Sequence, residues 1–282
     1  MRIILKLIIV LQLNCICFAS HDAIKVLTYN ILSPLYLKCS GFDNTDENII
    51  NWEKRKTRIV DILLKSKADI ICLQEIDEVA FNDIKLKLKE YLYEGVYGYH
   101  PSHDKDSIAT FYNSQKFHYI SHTLHAYPNS TKILLKVIIK PSFPSLTDSL
   151  SIINTKFKWD DENLPKEKHR GYQQLLFLKQ IYLDSDDKTS MILCGDLNML
   201  PDANYLLDLK DKLIDPFQNS DYQSANIQGN CKRIDYIFID KRITSKPIDP
   251  LGFQQLIKNS PSIDSPSDHI PLMAEITLNQ NV

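Results

Sequence analysis

Three short segments carry side chains whose types suit one reaction. Ser267-Asp268-His269 lies near the C-terminus, Gly195-Asp196-Leu197-Asn198 precedes it, and Leu73-Gln74-Glu75 closes an apolar run far upstream. Carboxylates and amides of this kind hold a hard divalent cation and steer a water, while an imidazole meets a developing oxyanion. Together they are what metal-assisted cleavage of a phosphate ester requires. Each segment alone is common, whereas the set in this order is not.

The elements that carry these residues must end at one place. Ile24–Ile31 reads as a buried strand stopped by Ser33-Pro34. Asn30 at its end supplies either a neutral oxygen to a metal or a hydrogen bond to Glu75; a plain turn asparagine is the alternative. Ala68–Gln74 is a continuous apolar run, as in a strand covered on both faces, so Glu75 stands at its end as the main metal ligand or as a solvated loop acid. Gly195 allows a tight turn after Met191–Cys194. Asp196 and Asn198, two apart, then point to one side, one to take a proton from water and the other to hold water or phosphate; a bare turn would look the same. Asp268 is expected to bind metal directly or through water, and His269, if protonated, to donate to a non-bridging phosphate oxygen. Asp235, inside the strand Arg233–Ile239, is costly there unless paired, so it either holds the other nitrogen of His269 or partners Arg233.

Helices are expected over Trp52–Ser66, about 78–92 and His169–Leu183, with strands at Ser107–Tyr112, Phe117–Leu124, Lys132–Ile139, Leu150–Phe157, Ser190–Cys194 and Ile270–Leu278. His169 and Arg170 are read as solvated helix-start residues. Helices and strands mixed in this order predict an α/β fold of packed sheets flanked by helices. No repeat or dividing linker interrupts the chain, so residues 24–278 are expected to form one domain.

The 282 residues are 44% hydrophobic and 24% charged, a balance that buries a large core. A formal net charge of −2, with no long basic run, lacks the electrostatic footprint of a non-specific nucleic-acid binder. Arg2 and Lys6 ahead of the mostly apolar run Leu7–Ala19 read as a secretory signal over residues 1–19, too short for a comfortable membrane span. Export is therefore expected, to the periplasm if the source is bacterial, with no stable membrane insertion after cleavage. An uncleaved anchor is the alternative. Cys72 and Cys194 sit in apolar runs and read as core residues, while Cys39 and Cys231 lie in loop-like sequence and could pair.

Taken in order, Thr28-Tyr29-Asn30, Leu73-Gln74-Glu75, Gly195-Asp196-Leu197-Asn198, Arg233-Ile234-Asp235-Tyr236 and Ser267-Asp268-His269 resemble the endonuclease/exonuclease/phosphatase superfamily. Asn51-Trp52-Glu53-Lys54-Arg55, Ser107-Ile108-Ala109-Thr110-Phe111-Tyr112 and Pro201-Asp202 with Tyr205-Leu206-Leu207 look like its deadenylase and nocturnin branch. The resemblance implies a four-layer α/β sandwich, two packed mixed sheets flanked by helices, with the site between the sheets at one end. It implies Mg²⁺, with Mn²⁺ as the alternative, on Glu75 with Asn30 and Asp268. Asp196 would activate or orient water with Asn198 in support, and His269 with Asp235 would stabilise the phosphate. The family usually carries Thr-His-Leu where this chain has Thr155-Lys156-Phe157. Lys156 would still offer a positive donor to phosphate, without the proton shuttling of histidine near neutral pH.

The expected activity is thus a secreted, Mg²⁺-dependent phosphohydrolase of phosphodiesterase or nuclease type, monomeric, acting on a phosphate ester in RNA, DNA or a nucleotide. The alternatives are a non-catalytic binding protein that keeps the fold, hinted at by Lys156, and a sphingomyelinase-like phospholipase.

Overall fold

The most apolar strands lie side by side at the centre of a sheet. In the computed structural model, which describes residues 23–37, 41–42, 44–142, 149–161, 164–183 and 189–278, β1 (Ala23–Asn30) pairs in parallel with β2 (Ile70–Ile76). Beyond β2 come β4 (His103–Asn113) and β3 (Tyr93–His100); beyond β1 come β14 (Leu272–Leu278) and β13 (Ile243–Ile248), all antiparallel to their neighbours. The second sheet repeats the plan around the parallel pair β7 (Leu150–Lys156) and β8 (Ser190–Asp196). Antiparallel β6 (Ile133–Pro141) and β5 (Phe117–Ala126) extend one side, and β12 (Asp235–Asp240) and the short β9 (Leu213–Ile214) extend the other. A small hairpin, β10 (Ala225–Ile227) with β11 (Asn230–Lys232), stands apart.

The sheets pack face to face because both centres are apolar on both sides. Val26, Ile70, Cys72 and Ile108 of one sheet meet Val137, Ile152, Ile192, Cys194 and Ile237 of the other in one buried cluster. On the outer face of the first sheet, Leu27, Ile71 and Leu73 pack against Ile59 and Leu63 of α2 (Trp52–Ser66) and Ile84 and Leu88 of α3 (Glu78–Lys89), with the one-turn α1 (Glu47–Ile50) just before α2. On the outer face of the second, Ile153, Leu193 and Phe238 meet Leu175 and Leu178 of α4 (Arg170–Leu183) and Leu206 and Leu209 of α5 (Asn204–Lys210). The result is the four-layer α/β sandwich of two mixed sheets that the resemblance implied. Local chemistry agrees: Asn51 caps α2 by accepting from the Glu53 N–H at 3.0 Å, and Asp77 caps α3 through the Ala80 N–H at 2.8 Å.

Strand register gathers the site at one edge. Asn30 stands opposite Gln74, Lys156 opposite Asp196, and Asp235 opposite Asp196 across the antiparallel pair. β14 runs antiparallel to β1 with Leu272 opposite Thr28, so His269 arrives beside the end of β1. Below, a buried polar bridge joins the sheets: Gln74 Nε2 donates to Asn154 Oδ1 (2.8 Å) and Thr28 Oγ1 (3.0 Å). Asn154 Nδ2 donates to the Leu73 and Ala109 carbonyls. The three bonds of Asn154 fix the two sheets relative to each other under the site.

Several elements differ from expectation. α3 stops at Lys89, and residues 93–100 form β3, where Gly95 and Gly98 mask the strand pattern because an added Cβ would collide with Phe111 and Leu124. β12 begins at Asp235, so Arg233 lies outside it. The edge strand β13, with Pro247 and half of its residues exposed, lacks the apolar alternation that marks a strand. Cys72 and Cys194 are core residues as expected. Cys39, and so any pairing with Cys231, lies outside the described residues, as does the expected signal over 1–19. No described helix is long and apolar enough to cross a membrane.

Candidate active site

Asn30 is the hub. Its Nδ2 lies 2.8 Å from Glu75 Oε1 and 3.1 Å from Asp196 Oδ2, so a fully buried amide donates to carboxylates from both sheets. Its Oδ1 accepts from the Leu32 N–H at 3.1 Å, which fixes the orientation of the amide. Of the roles the sequence allowed, the structure shows the hydrogen bond to Glu75. Glu75 is not one residue past the strand but inside β2, at a bulge between Gln74 and Ile76 with φ +56°. A left-handed backbone at a glutamate is strained, and here it turns the carboxylate into the site. Its Oε2 accepts from the Ser33 N–H at 2.8 Å, and Lys156 Nζ contacts Oε1 at 2.5 Å.

Asp196 ends β8. The Asn198 N–H donates to its Oδ1 at 3.0 Å, and the Asn198 side chain donates to the Phe157 carbonyl at 3.0 Å, tying the Gly195–Asn198 turn to the adjacent strand end. Gly195 has φ +152°, and a Cβ there would overlap the Thr155 carbonyl, so only glycine fits. His269 donates from Nδ1 to Asp235 Oδ2 at 2.7 Å. Arg233 instead forms a two-pronged ion pair with Asp215, at 2.9 and 3.1 Å. That leaves Asp235 to the histidine. Ser267 Oγ donates to the Asn30 carbonyl at 2.8 Å and accepts from the His269 N–H, locking the final loop onto β1.

Charges follow from these contacts. Burial would lower the imidazole pKa of His269, but Asp235, with help from Asp268 and Asp196, raises it to about 10, so it is a cation at neutral pH. Burial, then Asp235 and Glu75, push Asp196 up to about 6 against the pull of His269 and Lys156. Burial would also raise Glu75, but Lys156 and Asn30 hold it down at about 2. Asp268 is raised by burial and by Glu75, against His269. His269 Nε2 sits 3.4 Å from Asn30 Nδ2, where two donors face each other, leaving the Nε2–H for an incoming oxygen.

Glu75, Asp196, Lys156, Asn198, Asp268 and His269 all line one open cavity of about 570 Å³. Asp235 stands behind His269, and Asn30 beneath the carboxylates. A hard cation fits this donor set: Asp268 and Asp196 are buried oxygen donors destabilised by burial and by neighbouring negative charge, which a divalent ion would relieve. Asp196, Asp235 and His269 also bring possible ligand atoms within 4.8 Å of one another. His269 is protonated and held by Asp235, however, so that trio suits a charged donor and its anchor better than a metal.

The sequence reading missed four participants. Arg55 is fully buried and donates to the Ile31, Leu32, Ile50 and Pro266 carbonyls at 2.7–3.0 Å, clamping the β1 exit to the loop before Ser267. A buried arginine in an otherwise amphipathic helix was the available signal. Buried Asp106 and Lys132 cluster with half-buried Tyr36 beside Lys156, and nothing in their spacing announced it. A second cavity of about 340 Å³, lined by Trp159, His169, Met199, Tyr205 and Ile234, adjoins the first and shares Asn198, Trp159, Ile227 and Lys232 with it. His169 is thus buried at a cavity wall rather than solvated, while Arg170 is bound to Asp160.

The family model for the endonuclease/exonuclease/phosphatase family matches residues 27–269, from β1 to His269. The chain belongs to that family. Endonuclease/exonuclease/phosphatase membership sets it among phosphoester hydrolases, whose members generally depend on a divalent metal. The chain is 26% identical to mouse nocturnin over 300 residues, covering 94% of this chain and 68% of that protein. It is 24% identical to human 2′,5′-phosphodiesterase 12 over 91% of this chain and about half (52%) of that protein. The fold matches the crystal structure of ANGEL2, a 2′,3′-cyclic phosphatase, in complex with adenosine-2′,3′-vanadate, with a TM-score of 0.75, 17% identity, and coverage of 91% and 96% of the two chains.

Proposed function

We propose that the protein is an exported, Mg²⁺-dependent phosphodiesterase that hydrolyses a nucleotide phosphate ester by in-line attack of water, with Mn²⁺ as the alternative metal. The observation that carries this reading is one cavity lined by both Asp196, held by the Asn198 N–H at 3.0 Å, and His269, whose Nδ1 is locked on Asp235 at 2.7 Å, with Asp196 pushed up to about 6 and His269 to about 10. At neutral pH the first is a carboxylate near the ideal value for a general base, and the second is a fixed imidazolium. Asp196 takes the proton of the attacking water and is held by the Asn198 N–H. His269 donates from Nε2 to a non-bridging phosphate oxygen, its ring locked by Asp235. Glu75 and Asp268 are the residues to hold a divalent cation, which when bound would polarise the phosphate and lower the pKa of a water.

The adjoining cavity supports a nucleotide as the esterified group. Trp159 is 64% exposed at its rim and Tyr205 lies on its wall, flat apolar faces on which a base can stack. The names of the similar proteins point the same way, toward a 2′,5′-phosphodiester or a 2′,3′-cyclic phosphate. Export rests on the N-terminal run alone. The binding-protein reading is favoured by one observation, the Lys156 ammonium on Glu75 where a metal would bind.

The test is product analysis with Mg²⁺ on 2′,5′-ApA, 3′,5′-ApA, adenosine 2′,3′-cyclic phosphate, poly(A) and sphingomyelin. The expected result is cleavage of at least one nucleotide ester, with a rise in KM in Trp159→Ala. Cleavage of sphingomyelin alone, or of nothing with metal bound, would overturn it.

A further inference from the structure

Lys156 stands where the family usually has a histidine, and its surroundings give it two places to be. Its Nζ contacts Glu75 Oε1 at 2.5 Å and lies 4.4 Å above the Tyr36 ring. On the other side Asp106 Oδ1 is 3.7 Å away. Asp106 is buried, and its two oxygens are used unequally. Oδ2 accepts from the Tyr36 hydroxyl at 2.5 Å and from Lys132 Nζ, whereas Oδ1 accepts no hydrogen bond among the described residues. A buried carboxylate oxygen without a donor is costly, and such atoms call for an explanation. Lys132 is bound to Oδ2 and also reaches the Tyr36 hydroxyl at 3.2 Å, and it makes no hydrogen bond to Oδ1.

A divalent cation on Glu75 would place like charges in contact unless the ammonium moved. A displacement of somewhat more than about 1 Å, toward Asp106 and away from Glu75, would give Lys156 a full hydrogen bond to Oδ1 without leaving the face of Tyr36. We propose that Lys156 is a transferable counter-charge: it holds Glu75 while the site lacks a cation and passes to Asp106 Oδ1 when a divalent cation binds. Tyr36 and Lys132 are the positioning residues that keep Asp106 turned to receive it. This inference rests on the reading of Glu75 as a cation ligand, and it makes metal affinity a property of the Lys156–Asp106 pair. The ammonium opposes the metal, and the empty acceptor reduces that opposition.

The experiment is Mn²⁺ binding to the full chain without substrate, followed by electron paramagnetic resonance of the free ion. Lys156→Met is expected to tighten binding by about 10-fold or more, because the competing charge is gone. Asp106→Asn is expected to weaken it by about 5- to 50-fold, because Lys156 loses its second partner. In a Lys156→Met background, Asp106→Asn should change it by less than about 2-fold. Weaker or unchanged binding in Lys156→Met, or an equal effect of Asp106→Asn in both backgrounds, would overturn the proposal. Glu75→Gln separates the two readings: unchanged Mn²⁺ binding in that variant would remove Glu75 as a ligand, whereas weakened binding there together with unchanged binding in Lys156→Met would overturn the transfer alone. Where a variant fails to fold, a crystal structure of the unaltered protein with Mn²⁺ decides directly. It should show Lys156 Nζ within hydrogen-bond distance of Asp106 Oδ1 and off Glu75; an ammonium still on Glu75 beside the ion would refute the transfer.

Discussion

Replacing Asp235 with asparagine keeps the shape of the site but removes the charge that fixes His269. The Nδ1 donor lies 2.7 Å from Asp235 Oδ2, both residues are buried, and after burial Asp235 is the leading influence on an imidazole pKa raised from 6.5 to about 10. That rise corresponds to ~5 kcal/mol of preference for the protonated ring, an upper figure shared among Asp235, Asp268 and Asp196. Without Asp235, burial pulls the ring back toward neutrality, and an asparagine can equally favour the wrong tautomer. A pH profile of kcat/KM on a chromogenic phosphodiester, with ¹³C-histidine NMR of His269, reads both effects. The unaltered protein should keep its activity up to about pH 10, while Asp235→Asn should lose about 10²–10⁴ in kcat and show an alkaline limb near neutrality. Stability follows the same sign. A raised histidine pKa stabilises the fold fully below its ordinary 6.5, and that contribution fades as pH rises through about 10. In the variant that contribution should be largely absent. An unmoved alkaline limb with activity within about 3-fold would refute the role given to the pair.

Asp196, pushed up to about 6 in the metal-free site, should impose an acid limb that a bound cation moves lower. Its carboxylate penalises the fold fully above about 6, and the penalty vanishes as pH falls below 3.8, so metal-free Asp196→Asn should melt a few degrees higher at neutral pH by calorimetry while losing about 10²–10⁴ in rate. Arg55→Met should destabilise by about 3–5 kcal/mol in urea unfolding, because four buried carbonyls lose their donor together. Gly195→Ala should cost more than about 4 kcal/mol or prevent folding, seen as lost soluble yield, since its Cβ meets the Thr155 backbone.

The central strands were legible because both faces are buried: Ile70–Ile76 is apolar through Leu73, and no other element type accommodates so short a run at such density. Their ends then located Glu75, Asp196 and His269. Geometry across the sheets was not legible. The sequence left Asp235 divided between Arg233 and His269, and only the pairing of Arg233 with Asp215 resolved it. It left Asn30 several roles, and only the contacts across the strands show its hydrogen bond to Glu75. The Tyr36–Asp106–Lys132 cluster stayed hidden because its members are far apart in the chain and follow no periodicity. β3 and β13 stayed hidden because close-packed glycines and an edge proline replace the apolar alternation that signals a strand.

Hydrolysis of a phosphodiester by the purified protein, with Mg²⁺, with chelator, and in His269→Ala, tests the proposed chemistry most directly. The expected result is turnover that needs the metal, falls by about 10² or more in His269→Ala, and leaves Mg²⁺ binding to that variant intact. Equal turnover in His269→Ala, or no turnover of any phosphate ester by a protein that binds Mg²⁺, would contradict it.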